Sequence, residues 1–312
     1  YWRDWSSDVC SSDLSVLVSG CSASPQSAAS SRPKIVATFS ILADITQHIG
    51  NGVVDVVTIV PADGDAHVYE PTPADGVHMH DAVGIVQLGL SFEPWFEELY
   101  SASGSNAAVI IASRGITTID AHGDHDAHAD DASGDPHVWH DVTRTIQIAE
   151  TIRDGLVRIA PAQSETINAN AREYIDMLRA LDAEISAKVA TIPASKRNLV
   201  TNHDTFQYFA ARYGFTILGS ALGSVSTESA DPGAGKIADL ANAIKASGVA
   251  AIFVENVANP KLIAQIATTA GVKVAPPLYT DALGSNGEGT TYIDMMRYNV
   301  DTIVTALTAT TP

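Results

Sequence analysis

The sequence predicts an α/β protein of two lobes, each with a small parallel sheet flanked by helices, joined by one long rigid helix. Three observations carry that expectation. β-Branched runs alternate with helix-spaced segments, the pattern of strand–helix–strand crossovers and of a parallel sheet covered on both faces. A single apolar stripe of helical period runs through the middle of the chain. The alternation then resumes on the far side of that stripe. At 312 residues the chain exceeds most single cores and suits two units of ordinary size.

Each element has its own reason. Lys34–Phe39 (KIVATF) is a β-branched run and reads as the first strand, and Ile41–Ile49 then shows helical spacing. Val53–Val60 (VVDVVTIV) is a strong strand stopped by Pro61, which lacks the amide a ladder needs. Ile85–Leu90 is an apolar run of strand length, Pro94–Ser101 reads as a helix, and Ala107–Ala112 (AAVIIA) as a fourth strand. A helix is expected from Asp141 to Ala160, closed by Pro161.

The stripe occupies Ala162–Val189. Ile167, Ala171, Tyr174, Leu178, Leu181, Ile185 and Val189 are spaced four, three, four, three, four and four apart, so all share one face, with charges on the other. Pro193 stops it. Beyond it, Asn198–Thr201 (NLVT), Thr216–Leu218, Ala250–Val254 (AAIFV) and Val272–Ala275 read as strands. Thr205–Tyr213, Gly235–Ala246, Pro260–Thr269 and Tyr292–Leu307 read as helices. The expected division is 1–33, a start outside the fold; 34–161, an N-terminal α/β lobe; 162–192, the spine helix; and 193–312, a C-terminal α/β lobe. Ligands of open α/β sheets sit beyond the carboxyl ends of the strands, so two facing lobes would place two such edges around one cleft.

Composition removes several function classes. Eighteen basic residues against thirty-six acidic ones give a formal charge of −18, which repels phosphate backbones and argues against nucleic-acid binding. The two cysteines, Cys10 and Cys21, lie near the start, so a metal site in the fold must be built from His, Asp and Glu. No later segment offers the apolar span of a transmembrane helix.

Residues 1–14 (YWRDWSSDVCSSDL) hold no Met, one Arg and three Asp, unlike a secretory leader, and are set aside as non-native. The following SVLVSGC resembles a signal remnant ending in a bacterial lipobox, in which Cys21 would carry the lipid. SASPQSAASSRP then reads as a flexible tether. An exported, extracytoplasmic protein is expected, held on the membrane surface by a lipid anchor, or periplasmic.

Five of the ten histidines crowd into HGDHDAHADDASGDPHVWHD, residues 122–141. His122, His125 and His128 have no apolar anchor and read either as a metal-collecting loop or as a solvated linker. Four polar points stand where strands run out into loops: His67 in DGDAHVYEPTP, His137 in DPHVWHD, His203 in TNHDTF and Asp281 in LYTDALG. Singly, each has a plainer role as a surface, capping or turn residue. Together, two from each lobe, they form a set able to close a cleft. Three imidazoles and one carboxylate suit four-coordinate Zn²⁺ better than Mg²⁺ or Ca²⁺, and the Asp leaves Mn²⁺ open.

His140, three residues from His137, is a rival ligand or an auxiliary one. Glu70 and Glu255 are candidates to orient a ligand imidazole through its free N–H, and Glu255 could equally cap the next helix. His48, His78 and His80 are assigned no role; the last two are placed on a surface helix.

The motifs DGDAHVYEPTPAD, DPHVWHD, HDTFQYFAARYGF, IFVEN and YTDALG, spread from Lys34 to Pro312, resemble the zinc- and manganese-specific solute-binding lipoproteins of bacterial ABC uptake systems. That family includes proteins first described as adhesins. The resemblance implies two α/β lobes on a rigid helix, an ion held between them by His67, His137, His203 and Asp281, and delivery to a membrane permease. Manganese members tend to carry Glu at the third position, so His203 implies zinc. Zinc members often carry a His-rich loop, of which residues 122–128 look like a short version. His140 stands where many relatives have an apolar residue. A monomer is expected.

A catalytic zinc keeps a position open for water, whereas four protein ligands close the site. No HExxH helix is present, and HGDHDAH does not fit the HxHxDH spacing of metallo-hydrolases. The pairs His140-Asp141 and His203-Asp204 lie in a strand–helix chain rather than in the helical frame of His-Asp phosphohydrolases. The expected function is therefore capture and delivery of zinc. A manganese carrier is the alternative, and a zinc-dependent hydrolase the alternative from another class.

Overall fold

The structure, a computed structural model, describes residues 32–120, 134–228, 233–257 and 260–309. Cys21 and the histidines 122, 125 and 128 lie outside the described residues.

The first sheet holds β1 (Lys34–Phe39), β2 (Asp55–Val60), β3 (Gly84–Gln87) and β4 (Ala108–Ile111), all parallel, in the order β2-β1-β3-β4. The central strands are buried almost throughout, as expected when helices cover both faces. From β1 the chain passes through α1 (Ser40–Ile49) to β2 on one side, then crosses through α2 (Pro73–Asp81) to β3 on the other. That reversal opens a crevice at the carboxyl ends of the strands. Helix α2 starts at a reciprocal Thr72–Asp75 cap with Pro73 in its first turn. Only Asp75 and Met79 of it are buried, so its apolar pattern is weak.

Helix α3 (Phe96–Ser103) leads to β4, and a single 3-10 turn, Val138–His140, precedes α4 (Val142–Ile159). Asp141 is the N-cap of α4, accepting from the Thr143 amide at 2.9 Å. Helix α5 (Ser164–Ala190) runs 27 residues, and all seven stripe residues are buried, with Ile175 beside them. It packs on α1, α4 and the final helix, α9 (Tyr292–Thr308).

The second half holds β5 (Asn198–Thr201), α6 (Gln207–Tyr213), β6 (Thr216–Ser220), α7 (Ala234–Ser247), β7 (Ala251–Ile252), α8 (Pro260–Ala270) and β8 (Lys273–Val274). β5 pairs with β6 and β7 with β8, both parallel. Regular pairing of β7 and β8 is shorter than the sequence predicts. Past Ile252 the backbone divides its bonds between two neighbours: Phe253 donates to Val200 O (3.0 Å) and Val254 accepts from the Leu278 amide (2.9 Å).

Helix α9 returns to the first half. The Tyr292 amide donates to Asp44 (3.0 Å) and its hydroxyl to Trp139 O (2.6 Å). Met295, Met296, Val300 and Ile303 thereby join one apolar core with Ile35, Ile85 and Leu178. A smaller core forms around Val200, Ile244, Ile252, Ile263 and Ile266. No described helix is long and apolar enough to cross a membrane.

Candidate metal centre

Four buried side chains converge from strand ends: His67 after β2, His137 after β4, His203 after β5 and Asp281 after β8. One ligand-type atom from each lies within 4.8 Å of the others. His137 Nε2 is 3.4 Å from His67 Nε2 and 3.2 Å from His203 Nε2. The Asp281 oxygens stand 3.0 Å from His203, 3.6 Å from His67 and 3.6 Å from His137. A regular tetrahedron of zinc bonds has donor–donor edges of about 3.3–3.4 Å. Five of the six separations, each taken to the nearer Asp281 oxygen where that residue is involved, lie at 3.0–3.6 Å around that figure.

Local turns aim the imidazoles. Asp65-Ala66-His67 and Asp135-Pro136-His137 spell the same Asp-x-His, and in each the Asp Oδ1 accepts the His backbone N–H at 2.9 Å. Asp135 Oδ1 also takes His137 Nδ1 at 2.7 Å. Glu255 does this for His203: Oε2 lies 2.5 Å from Nδ1, while Oε1 accepts the amides of Asn202 (2.7 Å) and His203 (3.1 Å). An ionised carboxylate only accepts, so the Nδ1 atoms of His137 and His203 carry hydrogens, and a neutral ring turns an Nε2 lone pair toward its neighbours. With all three rings neutral, lone pairs and a carboxylate face one point and make a seat for a cation.

An aromatic wall backs the site. The Phe92 ring meets His67 edge-on at 4.7 Å and Trp139 at 4.9 Å. Trp139 Nε1 donates to Thr280 O (2.9 Å), tying the His137 segment to the residue before Asp281. Tyr208 donates to Asp135 O (2.6 Å). Phe92 is presented by three consecutive left-handed residues, Gly89, Leu90 and Ser91, with φ of 84°, 57° and 58°. Glu93 holds that turn, accepting from Leu88 N (2.7 Å), Gly89 N (3.2 Å) and Thr38 Oγ1 (2.6 Å).

Burial sets the charge states. It pushes His67 down to about 3 against the pull of Asp281, so that ring is neutral. Burial also opposes charge on His203, but Glu255 and Asp281 outweigh it and hold that imidazole well above its usual range. Burial likewise opposes ionisation of Asp281, yet His203, His137 and His67 keep the carboxyl below the usual carboxylate range.

The other sequence candidates fall differently. Glu70 is exposed, with no hydrogen bond or ion pair among the described residues, so it does not hold the His67 ring; Asp65 fixes the His67 backbone amide. Glu255 lies against His203, with both carboxylate oxygens engaged there. His140 is fully buried, outside the cluster of four, its ring tilted by 30° against Phe206 with centroids 4.5 Å apart. Neither of its ring nitrogens has a partner among the described residues. Asp65 and Asp135 went unassigned in the sequence, although the repeated Asp-x-His was there to find them.

A family model described as ZnuA, zinc-uptake complex component A, periplasmic, matches residues 35–306. The manganese-binding lipoprotein MntA of Halalkalibacterium halodurans is 34% identical over 298 residues, 94% of this chain and 95% of that one. The iron-binding protein YfeA of Yersinia pestis is 31% identical over 272 residues, 86% of this chain and 85% of that one. The periplasmic zinc-binding protein TroA of Treponema pallidum shares the fold with a TM-score of 0.80 at 29% identity, over 89% of this chain and 100% of that one. The chain therefore belongs to the zinc-uptake component A family, the metal-binding, substrate-binding proteins of ABC transporters, and is not an enzyme.

Proposed function

We propose that this protein captures Zn²⁺ outside the cytoplasm and delivers it to an ABC permease, with His67, His137, His203 and Asp281 as the ligands. The observation that carries it is the convergence of three imidazoles and one carboxylate at near-tetrahedral spacing. Three nitrogens and one oxygen are a zinc donor set, and four protein donors in a buried site leave little room for the waters that Mn²⁺ usually keeps. The ion would exchange its hydration shell for these side chains. The lobes 34–161 and 193–312 would then close across the 162–192 spine into the form that the permease recognises. His122, His125 and His128 would collect ions and hand them to the site.

The relatives named as lipoproteins and the family's periplasmic description support an extracytoplasmic place. Lipidation of Cys21 and action as a monomer belong to the same proposal. A second reading, a manganese carrier, is favoured by the names of the relatives, MntA among them. Metal analysis of protein purified without added ions, followed by competition between Zn²⁺ and Mn²⁺, separates the two. We expect one equivalent of zinc, retained against excess manganese; preferential manganese uptake moves the assignment to the second reading. His203→Ala should lose more affinity than the roughly 10–100-fold typical of outer-sphere partners. Unchanged binding would overturn the ligand set.

A further inference from the structure

The loop after β6, residues 221–228, is bonded along one side to the His203 segment. The Ala221 amide donates to Thr201 O (2.9 Å), the Leu222 amide to Asn202 O (2.8 Å), and the Asp204 amide to Ser224 O (2.8 Å). Its far end reaches the other side of the site. The Thr227 hydroxyl donates to Asp65 Oδ2 at 2.6 Å, while Asp65 Oδ1 accepts the His67 amide at 2.9 Å. One carboxylate thus joins the backbone of His67 to the loop that borders His203. Both bonds are charge-assisted, a class about twice as strong as neutral pairs.

The neighbouring Asp63 is a separate strut. Its Oδ2 accepts the Ser285 amide (3.0 Å) and hydroxyl (2.6 Å), and its own amide donates to Leu283 O (2.8 Å). The 63–67 segment is therefore fixed toward Asp281 by Asp63 and toward His203 by Asp65 and Thr227.

Building on the ligand assignment above, we propose that the Asp65–Thr227 hydrogen bond is a clasp that sets how long the bound ion stays. Asp65 and Thr227 are positioning residues; neither touches the ion. An ion leaves a buried four-donor site only after one donor swings aside. His67, at 6% exposure, is the one donor of the four with any surface, the others being at 0%, so it stands at the mouth. Its backbone cannot swing out without moving Asp65, and Thr227 holds Asp65 from the opposite side. Breaking the clasp leaves all four donors in place but lowers the barrier to opening.

The test uses full-length protein loaded with Zn²⁺ and, separately, with Mn²⁺, mixed rapidly with excess chelator. Thr227→Val removes the hydroxyl at nearly constant size, and Thr227→Ser keeps it. We expect about tenfold faster release from Thr227→Val, as loss of one charge-assisted bond implies. Association rate stays as in the wild type, metal-free protein melts only slightly lower for the loss of one hydrogen bond, and Thr227→Ser restores slow release. Release from Thr227→Val at the wild-type rate overturns the clasp and leaves the ligand assignment standing. Faster release that Thr227→Ser does not rescue, with metal-free stability lost beyond that of one hydrogen bond, overturns it as general loosening. A wild-type protein that retains neither ion removes the ligand assignment, and the clasp with it.

Discussion

Nδ1 of His203 stands 2.5 Å from Oε2 of Glu255, and both side chains are fully withdrawn from solvent. The carboxylate fixes which ring nitrogen carries hydrogen and makes the other more basic toward a cation. Glu255→Gln keeps an oxygen for the Asn202 and His203 amides but removes the charge. We expect metal affinity to fall about 10–100-fold while the fold survives. Competition titration against a chelator of known affinity checks this, and unchanged affinity would show that the pair is structural.

Metal binding should release a proton from His203. Its folded, metal-free pKa is raised above 6.5 by Glu255 and Asp281, so near neutrality the ring is charged and must lose its proton before Nε2 can bind an ion. His67, held at about 3, is already neutral and releases none. Below the His203 pKa, affinity should fall about tenfold per pH unit for that one proton. The sign for stability is opposite: as pH rises through the folded His203 value, metal-free protein loses the stability that the charged ring contributes. Calorimetry in buffers of different ionisation enthalpy counts the protons; no release near neutrality would mean that His203 is neutral before the ion arrives.

His140 carries a different pH signature. Burial, with His137 adding to it, lowers its folded pKa to about 3 against 6.5, so the unfolded chain takes up the proton first as pH falls. Stability drains away between about 6.5 and about 3 on this account. His140→Leu removes that loss and two nitrogens that have no partner among the described residues, a buried unpaired group costing about 1–3 kcal/mol. The variant should be at least as stable near neutrality and lose less stability in acid. Thermal melts of metal-free protein decide; a lower midpoint near neutrality would show that the ring has a structural role.

Most elements and the four converging residues were legible in the sequence because periodicity and strand ends are local signals. The α5 stripe is the plainest case: every residue chosen by spacing is buried. What failed was what depends on long-range partners. Glu70 stands near His67 in sequence, but its side chain is exposed while the His67 ring is buried, a separation that sequence spacing does not reveal. β7 and β8 pair over a shorter stretch than the sequence predicts because past Ile252 the β7 backbone divides its bonds between β5 and the segment after β8. The reach of Thr227 to Asp65 spans 162 residues and has no local signature at all.

Glu93 supports the site from beneath, and its removal should be felt both there and in the fold. Left-handed backbone costs non-glycine residues about 1–2 kcal/mol each, and Leu90 and Ser91 both adopt it. Glu93→Ala would strand the Leu88 and Gly89 amides and the Thr38 hydroxyl, a loss of at least about 3 kcal/mol. Metal affinity should fall with it, since Phe92 packs on His67. Glu93→Gln separates charge from shape. Burial raises the Glu93 pKa to about 7 from 4.5, against the pull of its three donors, so the folded protein holds this proton after the unfolded chain has lost it. The wild type therefore loses stability as pH rises from about 4.5 through about 7, and Glu93→Gln does not. The stability gap between them should narrow across that window in denaturant titrations of metal-free protein, and a constant gap would mean that Glu93 is ionised in the fold throughout.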